Sequence, residues 1–381
     1  YGVAVRDVWS TSRKELINIT PKNQKGPNYS DLARIVLERA KSAREAVTIV
    51  SDLIKKYGES TYGGNSHIFA DSKEAWIMIQ FAGGKGLWAA ERLGPNSIRA
   101  SRPGYIEEIP IHEKNNPNFL YSKNLISFCK KKRWYSRGPF NVNKILGDRK
   151  GRWKGVKWIE KEIKKLANKP NRIKLKDVIW AIRTSKLTGD TAGYGQIVPL
   201  VNPNYNNLRM LWHSPIGAVS SPFSPIFMGQ TIIPEEFMMH RYLTVGESHR
   251  FSNDRKKNEK DSLSFVSQGV ESTVSAVYEC KRLLYLILQN KNRFLSLATN
   301  AFEDREKKLI NNTNKILKTT KIFLKKNKKT LCKRMLNNFS ITELRNGLKL
   351  VQTLSKNMEV KIRKSKGFTK NIKPKSFNQI W

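Results

Sequence analysis

The stretch from Ala75 to Phe81, Ala-Trp-Ile-Met-Ile-Gln-Phe, constrains the fold more than any other. Side chains of a strand alternate between faces, so Trp76 and Met78 fall on one side and Ile77, Ile79 and Phe81 on the other. A strand with one wet face would alternate apolar with polar. Apolar residues on both sides demand a sheet covered on both faces. The flanks continue the pattern. Ser66 to Ala70 reads as a strand, Asp71-Ser72-Lys73-Glu74 as a turn, and Gly83-Gly84-Lys85-Gly86 turns the chain into Leu87 to Leu93. The expected architecture is therefore layered, with helices outside.

Helix signals lie on either side of this meander. Gly26-Pro27-Asn28-Tyr29-Ser30 is a turn leading into a helix, with Ser30 as its expected N-cap and Leu32, Ile35, Val36 and Arg39 at helical spacing. Ser42-Ala43-Arg44-Glu45 is a capping box opening a second helix, whose stripe is Ala46, Val47, Val50, Leu53 and Ile54, with Gly58 as its stop. Further helices are expected from Asn124 to Lys132, Gly155 to Ala167 and Leu175 to Ile182, the last with Trp180 on its apolar side. Gly195 to Val201 and Leu208 to His213 read as strands joined by the turn cluster Asn202 to Asn207. Ser220 to Ile233 reads as an edge or bulged strand interrupted by prolines. Beyond Asp261 the chain reads as helical: Val270, Val274, Val277, Lys281, Leu284 and Leu288 track one face, and the signal persists from Glu303 to Leu354. After about Lys361 the apolar periodicity fades. The organisation expected is a domain over 1–300 and a basic, helical to disordered tail over 301–381.

The charge is extreme: 71 Lys and Arg against 31 Asp and Glu give +40 over 381 residues. Such a balance suits a nucleic-acid or anionic-membrane partner. It also suits the composition of an AT-rich coding sequence, in which Lys, Asn and Ile are all abundant. Much of the excess lies in the last 80 residues and in short runs such as Lys130-Lys131-Lys132-Arg133 and Arg255-Lys256-Lys257. These clusters lack the aromatic interleaving of a base-stacking platform, so nucleic acid is not expected as the main partner. No apolar run approaches the length of a membrane span. Cys129, Cys280 and Cys332 form no CxxC pair and the five histidines no HExxH, so neither a disulfide framework nor a metal site is expected. The opening Tyr1-Gly2-Val3-Ala4-Val5 has no initiator Met and reads like the interior of a strand, so upstream protein is expected to be absent from this sequence.

Seven ordered segments carry a family likeness. Gly26-Pro-Asn-Tyr-Ser-Asp-Leu-Ala-Arg34, Tyr62-Gly-Gly-Asn-Ser-His67, Phe81-Ala-Gly-Gly-Lys-Gly-Leu-Trp88, Ser101-Arg-Pro-Gly-Tyr105, Phe140-Asn-Val-Asn143, Thr188-Gly-Asp-Thr-Ala-Gly-Tyr-Gly-Gln196 and His240-Arg-Tyr-Leu243 resemble segments of bacterial dipeptidases related to the secernins. The resemblance covers roughly Tyr1 to Leu297. It implies an α+β fold, the αββα sandwich of the N-terminal-nucleophile hydrolases, here with a helical C-terminal extension. It also implies cysteine-type hydrolysis of dipeptides or small peptides without metal or organic cofactor. In that chemistry a thiol attacks the peptide carbonyl, and the same residue's α-amine, with a pKa of about 7.7–8.0, serves as base. This chain departs at the decisive place, because Tyr1 has no thiol and none of the three cysteines matches a nucleophile position. The nucleophile is expected upstream, and the chain alone is expected to be inactive. Two other readings stay open: an inactive scaffold whose basic tail meets nucleic acid or an anionic surface, and an acylase acting on a non-peptide amide.

Among individual residues, the resemblance implies Asn65 as the candidate oxyanion donor, since related amidohydrolases of this class use an Asn side chain in that role and its local setting is similar. It follows Gly63-Gly64, where the backbone can approach a ligand closely, so Gly64 is a candidate for substrate binding. A turn asparagine bonded to its own backbone is the competing reading. His67 could reach the cleft from the same strand, although a satisfied polar residue of the sheet is the more economical reading. Asp190, within Thr188-Gly-Asp-Thr191, and Gln196 are further cleft candidates, with loop capping as the alternative for Asp190. Arg34 and Arg44 read as solvated helix positions, and His240-Arg241-Tyr242 as a local ion-pairing partner of Glu235-Glu236. The Gly83–Gly86 turn lies between strands with no helix behind it, so it is not read as a phosphate cradle. An oligomer is compatible with the sequence, and the cytoplasm is the default compartment in the absence of a visible signal peptide.

Overall fold

The computed structural model describes every residue except 62, 101–104, 114, 169–171, 185, 187–193, 201–204, 239–274, 366 and 368–381. The chain forms two compact units, one built mainly on Tyr1–Ile173 and the other on Lys174–Pro199 with Pro203–Gln379. It is α+β, with helices and antiparallel sheets in both units.

In the first unit, β1 (Ala4–Trp9), β2 (Asn65–Ala70), β3 (Ala75–Gln80), β4 (Trp88–Leu93) and β6 (Phe119–Tyr121) form an antiparallel sheet in the order β1-β2-β3-β4-β6. A short pair, β5 (Glu108–Ile109) with β7 (Phe140–Asn141), lies apart from it. Two helices, α2 (Tyr29–Arg39) and α3 (Ala43–Tyr57), cover one face, where Leu32, Val36, Val47, Val50 and Ile54 pack on Phe69, Trp76, Met78 and Ala90. On the other face Ile77, Ile79 and Ala89 meet Leu16 of α1 (Lys14–Asn18), Leu125 and Cys129 of α4 (Leu125–Lys131), and Val142 and Leu146 of α5 (Val142–Leu146). The two sets of β3 side chains thus part as the alternation requires, and all four of Trp76, Ile77, Met78 and Ile79 are buried. Helix α6 (Lys154–Ala167) closes this unit's element list.

Caps set the helix boundaries. Asn28, not Ser30, caps α2: its Oδ1 accepts from Ser30 N at 2.9 Å and Asp31 N at 3.1 Å, while Asp31 Oδ2 accepts from Asn28 N at 3.3 Å. Asn is as good a cap as Ser, and the acid at the third helical position closes a reciprocal box that Ser30 could not have formed. The Ser42 cap of α3 is observed, with Glu45 N donating to its Oγ at 3.1 Å, and Gly58 ends the helix at φ +77°.

The second unit holds α7 (Leu175–Arg183), the sheet β10-β9-β8 made of β8 (Gly195–Ile197), β9 (Met210–Ser214) and β10 (Ser224–Phe227), and the short α8 (Glu235–Met238). Three helices follow: α9 (Ala276–Gln289), α10 (Lys291–Lys325) and α11 (Lys329–Arg363). The last two form an antiparallel hairpin of 35 residues each, with Phe294, Ala298 and Phe302 facing Val351, Leu354, Met358 and Ile362 at one end, and Leu324 facing Cys332 and Leu336 at the other. Position 300 falls inside α10. Trp180 does not join the apolar side of α7. It stands at the surface, and the buried members of that helix are Ile179 and Arg183. Arg183 is drawn in because its guanidinium bonds both carboxylate oxygens of Glu306 at 2.6 Å, a pair only 3% exposed on each side. The helical positions Val270 and Val274 and the segment after residue 367 lie outside the described residues. No described helix is long and apolar enough to cross a membrane.

Candidate active site

The loop before β2 is held by a set of backbone and side-chain bonds that leave little freedom. Gln24 clamps Thr61 in both directions, donating from Nε2 to its carbonyl at 2.9 Å and accepting its N–H at 2.7 Å. Thr61 Oγ1 in turn accepts from Gly64 N at 2.8 Å. Ser12 N donates to Gly63 O at 2.7 Å. Gly64 has φ +119°, and a Cβ there would lie 2.3 Å from Ser10 O and 2.6 Å from Ser12 Oγ. Only glycine fits. The close approach that marks Gly64 is thus to the 10–12 segment of its own chain.

This loop delivers Asn65 as the first residue of β2, 1% exposed. Its side chain does not bond its own backbone, as a turn asparagine would. Instead Nδ2 donates to Glu59 Oε1 at 2.7 Å, and Oδ1 has no partner among the described residues. Burial raises the Glu59 carboxyl to about 8, against the opposing pull of the Asn65 bond. Near neutral pH Glu59 is therefore largely a neutral acid, able to hold the Asn65 amide without fixing a negative charge beside a developing oxyanion.

Glu59 and Thr61 form part of the wall of a cleft of about 840 Å³, with Asn65 directly behind Glu59. Ile54, Phe81, Trp88 and Tyr121 give it apolar surface, and Lys25, Lys55, Lys85 and Lys123 stand exposed around it. A concave, largely apolar space with a few converging polar groups is the usual form of a small-molecule site. The lysines favour a ligand carrying a carboxylate.

His67 lies deeper than the cleft. It is fully buried, with Nε2 2.9 Å from Tyr29 O and Nδ1 3.1 Å from Gln80 Oε1, and its ring stacks on Phe69. Burial lowers its pKa, which favours the neutral ring. A neutral imidazole donates from one nitrogen only, so with Nε2–H on Tyr29 O the other nitrogen must accept. The Gln80 amide turned through 180° would supply that donor, and Gln80 Nε2 has no other partner. His67 thus ties β2 and β3 to the start of α2. Gln196 is exposed on β8, and Asp190 lies outside the described residues.

Two residues of this region carry no local sequence signal. Glu59 reads as a loop residue, and only the tertiary fold brings it under Asn65. Arg13 is 7% exposed, with its guanidinium on Glu15 at 2.7 Å, on Ile145 O at 2.8 Å, and 3.8 Å from the centre of the Trp134 ring. The Arg13 bond holds the Glu15 carboxyl down at about 2. Among the thiols, Cys129 is buried and pushed up to about 11, Cys280 to about 12, and Cys332 is buried and raised as well. Desolvation disfavours the thiolate in each, so none is suited to nucleophilic attack.

Residues 7–154 match the model of peptidase family C69, a stretch that contains the whole five-stranded sheet except the first residues of β1, together with Glu59, Gly64, Asn65 and His67. Over 116 residues the chain is 37% identical to a protein of Lactococcus lactis subsp. lactis (strain IL1403) described as probable dipeptidase B. That alignment covers 30% of this chain and 23% of the relative, so the matched part is under a quarter of that protein's length.

Proposed function

We propose that the first compact unit is a peptidase family C69 domain, one layer-pair of an αββα sandwich, working in a cysteine-type dipeptidase. The match of residues 7–154 to that family carries the reading; α2 and α3 supply the outer helical layer, and the opposite face of the sheet is covered by the short helices α1, α4 and α5.

In this reading the dipeptide lies in the cleft beside Glu59, its apolar side chains against Phe81, Trp88 and Tyr121 and its carboxylate among the lysines. Attack by a thiolate turns the peptide carbonyl into an oxyanion. Asn65 Nδ2 spends one N–H on Glu59 and keeps the second for that oxygen. Below about pH 8, where Glu59 is protonated, the pair adds a donor without adding charge. His67 is a positioning residue that locks β2, and Gly64 sets the position of Asn65 behind Glu59. Asp190 is proposed as a substrate contact on the strength of its motif alone. The reactive thiol is none of Cys129, Cys280 and Cys332, since all three are buried with raised pKa values. In this reading the polypeptide of this sequence is inactive by itself.

The test is hydrolysis of a panel of unblocked dipeptides by the protein purified from its native source, with and without thiol alkylation. The expected result is cleavage that alkylation abolishes, and none by the 381-residue polypeptide alone. Alkylation-resistant cleavage, or cleavage by the isolated polypeptide, would overturn the assignment of a cysteine outside these three.

A further inference from the structure

The charge that looks compositional along the sequence becomes localised in the fold. From Lys307 to Thr342 the chain holds eleven Lys or Arg and no Asp or Glu. This segment is the closed end of the α10–α11 hairpin. All eleven side chains, Lys307, Lys308, Lys315, Lys318, Lys321, Lys325, Lys326, Lys328, Lys329, Lys333 and Arg334, are exposed, and none makes an ion pair among the described residues. Residues 205–234, which supply the core partners Leu208 and Phe227 of this end, contain no acid either.

On α6 and at the open end of the hairpin the polar faces are mixed, while the loop and short helix over 115–147 hold seven exposed Lys or Arg and no acid. Lysines of α6 share their helix with Glu160 and Glu162, and the open end of the hairpin pairs Arg305 with Glu343 and Arg363 with Glu359. The closed end differs in setting its charge along two long, regular helices. At about 100° per residue, the six lysines of α10 from 307 to 325 fall within an arc of about 140°, and span about 27 Å of helix. Leu309, Thr313, Thr320 and Leu324 occupy the buried side. Lys329 and Lys333 stand in the first turns of α11, against the helix dipole, and no acid offsets them. Folding stability does not account for such an arrangement.

We propose that this end of the hairpin docks the phosphodiester backbone of a nucleic-acid duplex, without reading its bases. The span matches about eight phosphates along one strand at ~3.4 Å each. Within 307–342 the aromatic rings, Phe323 and Phe339, pack into the core, so no stacking platform for single-stranded bases is presented. An interfacial membrane helix would need several large apolar side chains on its outer face. Here Ile322 is the one large apolar residue that stands exposed.

The experiment is fluorescence anisotropy of the full chain with labelled DNA and RNA duplexes of about 20 base pairs, from ~50 to ~200 mM salt. Single-stranded DNA and phosphatidylserine vesicles serve as competitors. Lys315→Glu/Lys318→Glu/Lys325→Glu is compared with Lys157→Glu/Lys161→Glu/Lys164→Glu, an equal charge change on the exposed face of α6. Circular dichroism and thermal melting establish that both variants remain folded. The expected result is duplex binding that weakens more than about tenfold in the hairpin variant, with the log–log salt slope smaller by about 3. The α6 variant should change by less than about twofold. Tighter binding of either duplex type supports the proposal equally. Equal loss in the two variants, salt-independent binding, preference for the single strand, or vesicles displacing duplex at lower concentration would each overturn it.

Discussion

At the scale of a single residue, Gly64 is the most tightly constrained position before β2. A side chain there would meet Ser10 O at 2.3 Å, in a backbone conformation of φ +119° that other residues avoid. Gly64→Ala should therefore lose at least about 1–3 kcal/mol, visible as a lower midpoint in urea denaturation. Glu59 gives a second test. Its folded pKa of about 8 lies above the ordinary 4.5. The folded state then holds the proton that the unfolded state has released, so the slope of stability against pH is negative between about 4.5 and 8. Stability contributed by this group is full below 4.5 and is lost as pH rises toward 8. Glu59→Gln should remove that decline, read as the difference in melting temperature between variant and parent across this window. A parallel decline in both proteins would place Glu59's titration at its ordinary value. Neither Glu59 nor Arg13 could be picked from the sequence, because what matters, desolvation of the Glu59 carboxyl and the distant Ile145 carbonyl that meets Arg13, has no local pattern. Asn65 could be picked, since two glycines before a strand mark a close approach and the family resemblance supplies the role, but its partner could not.

The elements were legible where two levels of pattern agreed. The alternation in β3 assigned Trp76 and Met78 to one face and Ile77 and Ile79 to the other, and the helices that cover them follow from caps and apolar stripes. The start of α2 shifted from Ser30 to Asn28 because two neighbouring residues are both good caps, and the acid at Asp31 decides between them. Trp180 was misplaced for a related reason. A nine-residue helix has few turns, and Arg183 took a buried position that hydropathy assigns to tryptophan. That buried pair permits a test of its own. Breaking it by Arg183→Met or Glu306→Gln should cost about 3–5 kcal/mol, whereas replacing both partners by apolar residues should recover most of the loss. Urea denaturation of the single and double variants gives both numbers. A loss under about 1 kcal/mol in the single variants would mean the ions are not buried together.

At the scale of the whole molecule, the two units differ in kind. The first combines a family match, a sheet covered on both faces and a cleft whose polar groups converge. The second is a small sheet with long helices, and its plainest chemical feature is charge. The sequence placed that charge in a tail, and the fold instead gathers it on the closed end of a hairpin whose other end is conventionally paired. Segments of the resemblance at 188–196 and 240–243 fall largely outside the described residues, so Asp190 rests on its motif alone. The claim that ties the first unit to catalysis is that Asn65 faces the reacting carbonyl with its second N–H. The most direct measurement is steady-state kinetics of dipeptide hydrolysis by the native protein and its Asn65→Ala variant, with folding of the variant checked by melting. Loss of an oxyanion donor should lower kcat by about 10²–10³-fold and leave KM nearly unchanged. An unchanged kcat in a folded variant would contradict the account.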